Sequence, residues 1–288
     1  MRQAPSSRIY SLPTHDMATL QWGPADGRLV IALHGFPDTA WTWRTVAPQL
    51  ADQGYRVVAP FMRGYAPSGV PSDGDYSVRA LGGDALALHE LLGGGDDAVL
   101  VGHDWGAIAA DMLAGRAEAP FSHVVALAVP PLPWINPTRE TLRPWLGAVA
   151  RQPLHSWYIA FNQIPGASER VFERLTRKLW RDWSPGYDAA EDLAFLRDAT
   201  PSLEYRRAAV AYYRAIASKG SRAAFVEPIR PLLALQGDQD GALDAGFFPA
   251  VQAQAGEGSR AELIAGTGHF LHLEKPDVIV ERILEFIA

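Results

Sequence analysis

The sequence predicts an α/β fold: a mostly parallel sheet flanked by helices, with an inserted all-α region. Three observations predict it. The runs Leu29-Val30-Ile31-Ala32-Leu33, Val99-Leu100-Val101 and Leu232-Leu233-Ala234-Leu235 show no polar alternation, as expected of strands buried on both faces of a parallel sheet. Helix-like segments separate successive strands, so the chain reads as repeated βα units. Finally, 288 residues, 48% of them hydrophobic and 20% charged, suffice for a large buried core.

In chain order, Ile9 to Leu12 and Met17 to Trp22 are short strands of an opening hairpin, and Gly23-Pro24-Ala25-Asp26-Gly27 is turn chemistry. Arg28 to His34 is a buried strand ending in His34-Gly35-Phe36-Pro37-Asp38. A helix is expected over Trp41 to Asp52, then a strand over Tyr55 to Pro60, a loop to Tyr76, and a helix from Ser77 to Leu92 stopped by Gly93-Gly94-Gly95. A strand follows over Ala98 to Val101, its helix over Ala107 to Leu113, and a further strand over Val124 to Ala128. From Pro130 prolines and tryptophans accumulate and strand patterns cease. Glu169 to Trp180 and Ser202 to Ser218 are the clearest helices of this stretch. Strand character resumes at Pro231 to Gly237, followed by a helix near Phe247 to Ala255, a strand at Ala261 to Ala265, and a closing helix from Pro276, whose ring suits a first turn. The expected division is a core of 1–130 and 226–288 with a helical cap of 131–225.

Composition excludes several function classes. A net charge of -6 with scattered basic residues argues against a nucleic-acid partner. Zero cysteines exclude disulfides, thiolate zinc sites and a cysteine nucleophile. The opening residues lack the apolar run of a signal segment, and no stretch is long enough to span a bilayer. The expectation is a soluble, cytoplasmic protein, monomeric or homodimeric, with no membrane partner.

The chemistry centres on Gly102-His103-Asp104-Trp105-Gly106. A strand, a sharp turn and a helix meet here, and small residues on both sides leave room for a central residue in strained geometry. This is the logic of a nucleophile elbow, with Asp104 where serine usually stands. An N-cap role would explain Asp104 but not the flanking glycines. Three more loops at strand ends carry reactive groups: Asp238, Asp240 and Asp244 in one, His269 in the next, and His34-Gly35-Phe36-Pro37 in the third. Nucleophile, acid and base in this order match the α/β-hydrolase arrangement. That arrangement takes one oxyanion-hole N–H from the His34-Gly35-Phe36-Pro37 loop, at Phe36, and the other from the residue after the nucleophile, Trp105. His34 and His103 are read as loop supports.

His34-Gly35-Phe36-Pro37 with Trp41 and Trp43-Arg44, Arg63-Gly64-Tyr65, Gly102 to Ala107, Gly237-Asp238-Gln239-Asp240 and Gly266-Thr267-Gly268-His269-Phe270 together resemble the α/β-hydrolase-fold epoxide hydrolases, over nearly the whole chain. The segment Trp157 to Gly166 is similar to the family's first cap-tyrosine segment, and Tyr212-Tyr213-Arg214 to its second. The resemblance implies a hydrolase that opens a small apolar epoxide to a vicinal diol through an ester on Asp104. Water activated by His269 hydrolyses the ester, Asp240 orients His269, and Tyr158 and Tyr213 activate the epoxide oxygen. It implies neither cofactor nor metal. Phe61, Ala66 and Asn162 depart from the family pattern at positions that shape loops and pocket.

Two other readings compete. Haloalkane dehalogenases share the aspartate nucleophile, and Trp105 suits halide, but they usually carry Asn where Phe36 stands, and the tyrosine pair would have no task. From another class, the fold also hosts inactive ligand-binding proteins, against which Asp104, Asp240 and His269 speak.

Overall fold

The continuous apolar runs form the middle of one eight-stranded sheet. The computed structural model describes residues 4–288, so the first three residues of the N-terminal reading lie outside the described residues. The strands are β1 (Ser6–Ser11), β2 (Asp16–Trp22), β3 (Leu29–Leu33), β4 (Arg56–Pro60), β5 (Val99–His103), β6 (His123–Leu127), β7 (Leu232–Gly237) and β8 (Arg260–Ile264). Their order is β1-β2-β4-β3-β5-β6-β7-β8. β1 and β2 pair antiparallel as the expected hairpin, β2 joins β4 antiparallel, and the strands from β4 to β8 run parallel. Every residue of β3, β5 and β7 is buried, which is why these strands show no alternation.

The helices are α1 (Ala47–Asp52), α2 (Val78–Leu91), α3 (Trp105–Ala114), α4 (Leu142–His155), α5 (Trp157–Asn162), α6 (Ala167–Arg170), α7 (Phe172–Trp183), α8 (Ala190–Ala199), α9 (Leu203–Arg214), α10 (Phe248–Gln254), α11 (Leu271–Glu274) and α12 (Pro276–Ile287). The chain passes from β3 through α1 to β4, then returns through α2 to β5 on the other side of β3. The winding direction therefore reverses between β3 and β5, and the carboxyl ends of those strands flank the crevice where open α/β sheets bind ligands. Between β6 and β7 the structure contains helices and no strand, as the loss of strand patterns predicted. Among the described residues no helix is long and apolar enough to cross a membrane.

Two expected helices are interrupted. Trp41 to Asp52 divides into a 3₁₀ turn over Ala40–Arg44 and then α1. Pro48 lies in the first turn of α1, where its missing N–H costs nothing, whereas inside a continuous helix it would break the ladder. The helix expected from Glu169 instead divides at Val171, which sits at φ -107°. Glu169 in α6 is buried and paired to Arg214 of α9 at 2.8 Å, which ties α6 to α9.

Candidate active site

Asp104 follows the last residue of β5, at φ 51° and ψ -115°, a strained backbone for a residue with a side chain. The neighbouring glycines permit it by allowing close approach. A Cβ on Gly102 would lie 2.2 Å from the Gly106 carbonyl oxygen, and one on Gly106 would lie 2.4 Å from that of Leu33. The Asp104 side chain makes no capping bond to α3, so capping does not account for it. Instead Oδ1 accepts the Phe36 N–H at 2.7 Å. Gly35 makes that approach possible, since a Cβ there would stand 2.4 Å from the same oxygen. The Trp105 N–H, at the first turn of α3, makes no hydrogen bond to the carboxylate in this structure.

His269 comes from the loop after β8 and is fully buried. Its Nδ1 lies 3.0 and 3.1 Å from the two oxygens of Asp240, and its Nε2 lies 3.6 Å from Oδ2 of Asp104. The carboxylate partner assigns the Nδ1 position a proton and turns Nε2 toward Asp104. Asp240 is fixed in turn, because its Oδ1 accepts the N–H groups of Ala242 and Leu243 at 2.7 and 3.2 Å. The other two candidate acids are engaged elsewhere: Asp238 is exposed and accepts from Gly266 N–H, while Asp244 is ion-paired to Arg151 at 2.6 Å. Burial by itself would lower the His269 pKa, but the nearby carboxylates of Asp240 and Asp104 outweigh it and raise the value to about 10. At neutral pH the ring is an imidazolium between two carboxylates.

Main-chain bonds hold this loop. His269 N–H donates to the Trp183 carbonyl at 2.9 Å, Phe270 N–H to Ser184 Oγ at 3.0 Å, and His103 Nε2–H to the His269 carbonyl at 3.0 Å. His34 supports the facing loop, its Nε2 accepting from Met62 N–H. Trp183 was not singled out by sequence, although its ring lies 4.8 Å from those of both His269 and Tyr158. Its signal, an aromatic at the end of an amphipathic helix, is that of an ordinary core residue.

Tyr158 on α5 and Tyr213 on α9 meet edge to face with ring centroids 5.4 Å apart. Gln163 joins their carriers by donating to the Tyr213 carbonyl at 2.8 Å, and Arg214 does so by donating to the Asn162 carbonyl at 3.0 Å. Tyr213 also packs on Trp105 and Phe36 at 5.3 and 5.0 Å. Both phenols line the same cavity of about 360 Å³ as Asp104, Trp105 and His269. Burial first, then the neighbouring ionisable groups, drives both phenol pKa values well up, so both remain O–H donors. Among the described residues the Tyr213 hydroxyl and His269 Nε2 have no hydrogen-bond partner. Away from these groups the wall is mostly apolar, with Ile108, Val129, Leu132, Ile135, Ile159 and Leu243 among its residues and Gln152, Ser156 and Ser221 as its other polar members. The arrangement sets one carboxylate, one acid-paired imidazole and two un-ionised phenols around a mostly apolar space.

Comparison with known proteins places these features in context. Residues 28–276 match the family described as the alpha/beta hydrolase fold. An AB hydrolase superfamily protein of Bacillus subtilis is 29% identical over 92% of this chain and 92% of its own length. An epoxide hydrolase of Caballeronia sordidicola is 28% identical over 96% of this chain and 93% of its own. Among solved structures, one of the epoxide hydrolases of the alpha/beta hydrolase superfamily from metagenomes of hot environments superposes with a TM-score of 0.78 at 25% identity, covering 98% of each chain.

Proposed function

Since this chain belongs to the α/β-hydrolase-fold family, we propose that it is an epoxide hydrolase working through an ester on Asp104. In this reading residues 131–225 are the cap that brings the phenols, and 1–130 with 226–288 are the core that holds the acid, base and nucleophile. The observation that carries it is the pair Tyr158 and Tyr213 over Asp104: two phenols kept un-ionised in an apolar cavity facing a carboxylate. An epoxide oxygen leaves as a poor leaving group unless it receives a proton, and phenols at that place supply one.

The first half-reaction begins with Asp104. Phe36 N–H holds Oδ1, leaving Oδ2 to attack an epoxide carbon as the C–O bond breaks and a phenol proton passes to the alkoxide. A hydroxyalkyl ester and a phenolate result. Esterification removes the Asp104 charge, one of the two that raise the His269 pKa, so the imidazolium returns its proton to the phenolate and becomes a base. In the second half-reaction His269 Nε2 takes a proton from water, which attacks the Asp104 carbonyl carbon. The N–H groups of Phe36 and Trp105 hold the oxyanion, and collapse releases the diol. His269 gives the proton it took from water to the departing alkoxide oxygen, and the Asp104 carboxylic acid left behind passes its proton to His269, restoring the ion pair. Only epoxide and water are consumed.

The epoxide hydrolases named among the relatives support this reading. The direct test is turnover. Styrene oxide should yield phenylethanediol, while 1-bromobutane should release little bromide, because the phenols serve an oxygen leaving group and not a halide. Bromide release without diol would reverse the assignment in favour of a dehalogenase, and neither product with bound epoxide would indicate a binding protein.

A further inference from the structure

Behind the His269 loop lies a second group of buried polar side chains that the proposed reaction does not use. Asp38, His103 and His272 are each at most 1% exposed. Each offers an oxygen or ring nitrogen within 4.8 Å of those of the other two. Among the described residues no hydrogen bond joins them directly, and Asp38 Oδ2, His103 Nδ1 and His272 Nδ1 are all without a partner. Their remaining atoms are engaged. Asp38 Oδ1 accepts Thr39 N–H at 2.7 Å, and His272 Nε2 lies 2.5 Å from Thr42 Oγ1. His103 Nε2 lies 3.0 Å from the His269 carbonyl oxygen. A carbonyl can only accept, so His103 carries its proton on Nε2, and its Nδ1 is a bare lone pair requiring a donor.

We propose that Asp38 is a positioning residue: as a neutral acid, bridged by one internal water to His103 and His272, it keeps His103 in the tautomer whose Nε2–H holds the His269 main chain. Two hydrogen bonds of about 2.8 Å meeting at one oxygen span a gap of this size, and a buried water with three polar partners is the usual occupant of such a place. Three buried groups left unpaired would each carry a desolvation cost with nothing to offset it. A divalent cation fits less well. One carboxylate would leave it with net positive charge in a dry interior, and Arg44 beside it is already paired to Asp192 at 2.6 Å.

The groups facing Asp38 agree with a protonated carboxyl. They are Thr42 and Arg44 of the 3₁₀ turn, His103 at the end of β5, Tyr65 of the loop after β4, Asp192 of α8 and His272 of α11. Burial, reinforced by the Asp192 charge and opposed by Thr42, Thr39 and Arg44, pushes the Asp38 pKa up to about 8. A pKa raised above its unfolded value of 3.8 means that stability from the neutral acid is complete below that value and is lost as pH rises through about 8.

The role at His269 rests on reading that residue as the base, so the experiment has two separate arms. In the first, melting temperatures of wild type and Asp38→Asn are followed from pH 5 to 9. The amide cannot ionise, so the asparagine variant should gain on wild type as pH rises to about 8 and then hold that gain. A constant gap, or stoichiometric metal in the purified protein that is lost in Asp38→Asn, would overturn the neutral-acid hub. In the second, alkylation and ester hydrolysis are timed separately in single turnover. Asp38→Ala should slow hydrolysis by about tenfold while alkylation changes by less than about twofold, the size of effect expected from misplacing a reacting group. Asp38→Asn should recover most of that loss, and its hydrolysis rate should lack the decline that wild type shows as Asp38 ionises above pH 8. Equal slowing of both steps would overturn the positioning role. If His269→Gln accumulates no ester, the base reading fails and the positioning role with it, while the melting series still decides the hub.

Discussion

Given a styrene-oxide-type epoxide, His269→Gln is expected to consume one equivalent and stop, its mass increased by the mass of the epoxide. In the proposed mechanism the base is needed only in the second half-reaction, after Asp104 has lost its charge to the ester. Glutamine keeps a polar side chain near Asp240 but cannot take a proton from water. Losing a general base lowers a step by about 10²- to 10⁴-fold, roughly 3 to 5 kcal/mol of barrier. Alkylation should persist, because Phe36 N–H still orients the Asp104 carboxylate at 2.7 Å. Intact mass spectrometry after brief exposure reads both steps at once. An unmodified, inactive variant would show that His269 acts before the ester forms.

The second large effect belongs to the phenols. Tyr158→Phe and Tyr213→Phe should each slow alkylation about tenfold or more, and the double variant should approach the full 10²- to 10⁴-fold range of general acid catalysis. Either hydroxyl partly covers for the other, which makes the double variant decisive. The rings pack against Trp183, Trp105 and Phe36 through their edges and faces, and phenylalanine preserves those contacts. The Tyr213 hydroxyl makes no hydrogen bond among the described residues, so its removal should leave the melting temperature nearly unchanged. Pre-steady-state tryptophan quenching would follow alkylation, and a folded double variant opening epoxide at wild-type rate would remove the phenols from the chemistry.

Much of this arrangement was legible in the sequence because its signals are local. Strands buried on both faces read as unbroken apolar runs, and the loops of Phe36, Asp104 and Asp240 begin where such runs end, while His269 follows the edge strand β8, whose apolar pattern is weaker. Asp104 in particular is announced by Gly102 and Gly106, whose missing Cβ atoms are demanded by backbone oxygens 2.2 and 2.4 Å away. Pro48 was equally visible and correctly read would have divided the helix after Arg44. Asp240 was preferred over Asp238 and Asp244 on the family spacing Gly237-X-X-Asp240; the physical reason that Asp244 is engaged elsewhere, its pairing with Arg151 from a helix 93 residues earlier in the chain, is not written in any local pattern. Tyr158 and Tyr213 have the spacing of core aromatics and were found only through family resemblance. The Asp38, His103 and His272 group was invisible for the same reason: it joins a loop, the end of β5 and α11, and no periodicity encodes that meeting.

The most direct test of the central claim, that Asp104 itself attacks the epoxide, is a single turnover in heavy-oxygen water with enzyme in excess. Water enters at the Asp104 carbonyl carbon, so the first diol should carry only ordinary oxygen, and the label should be recovered in the peptide containing Asp104. Label in that first diol, with an unlabelled peptide, would mean that water attacks the epoxide directly and would contradict the account.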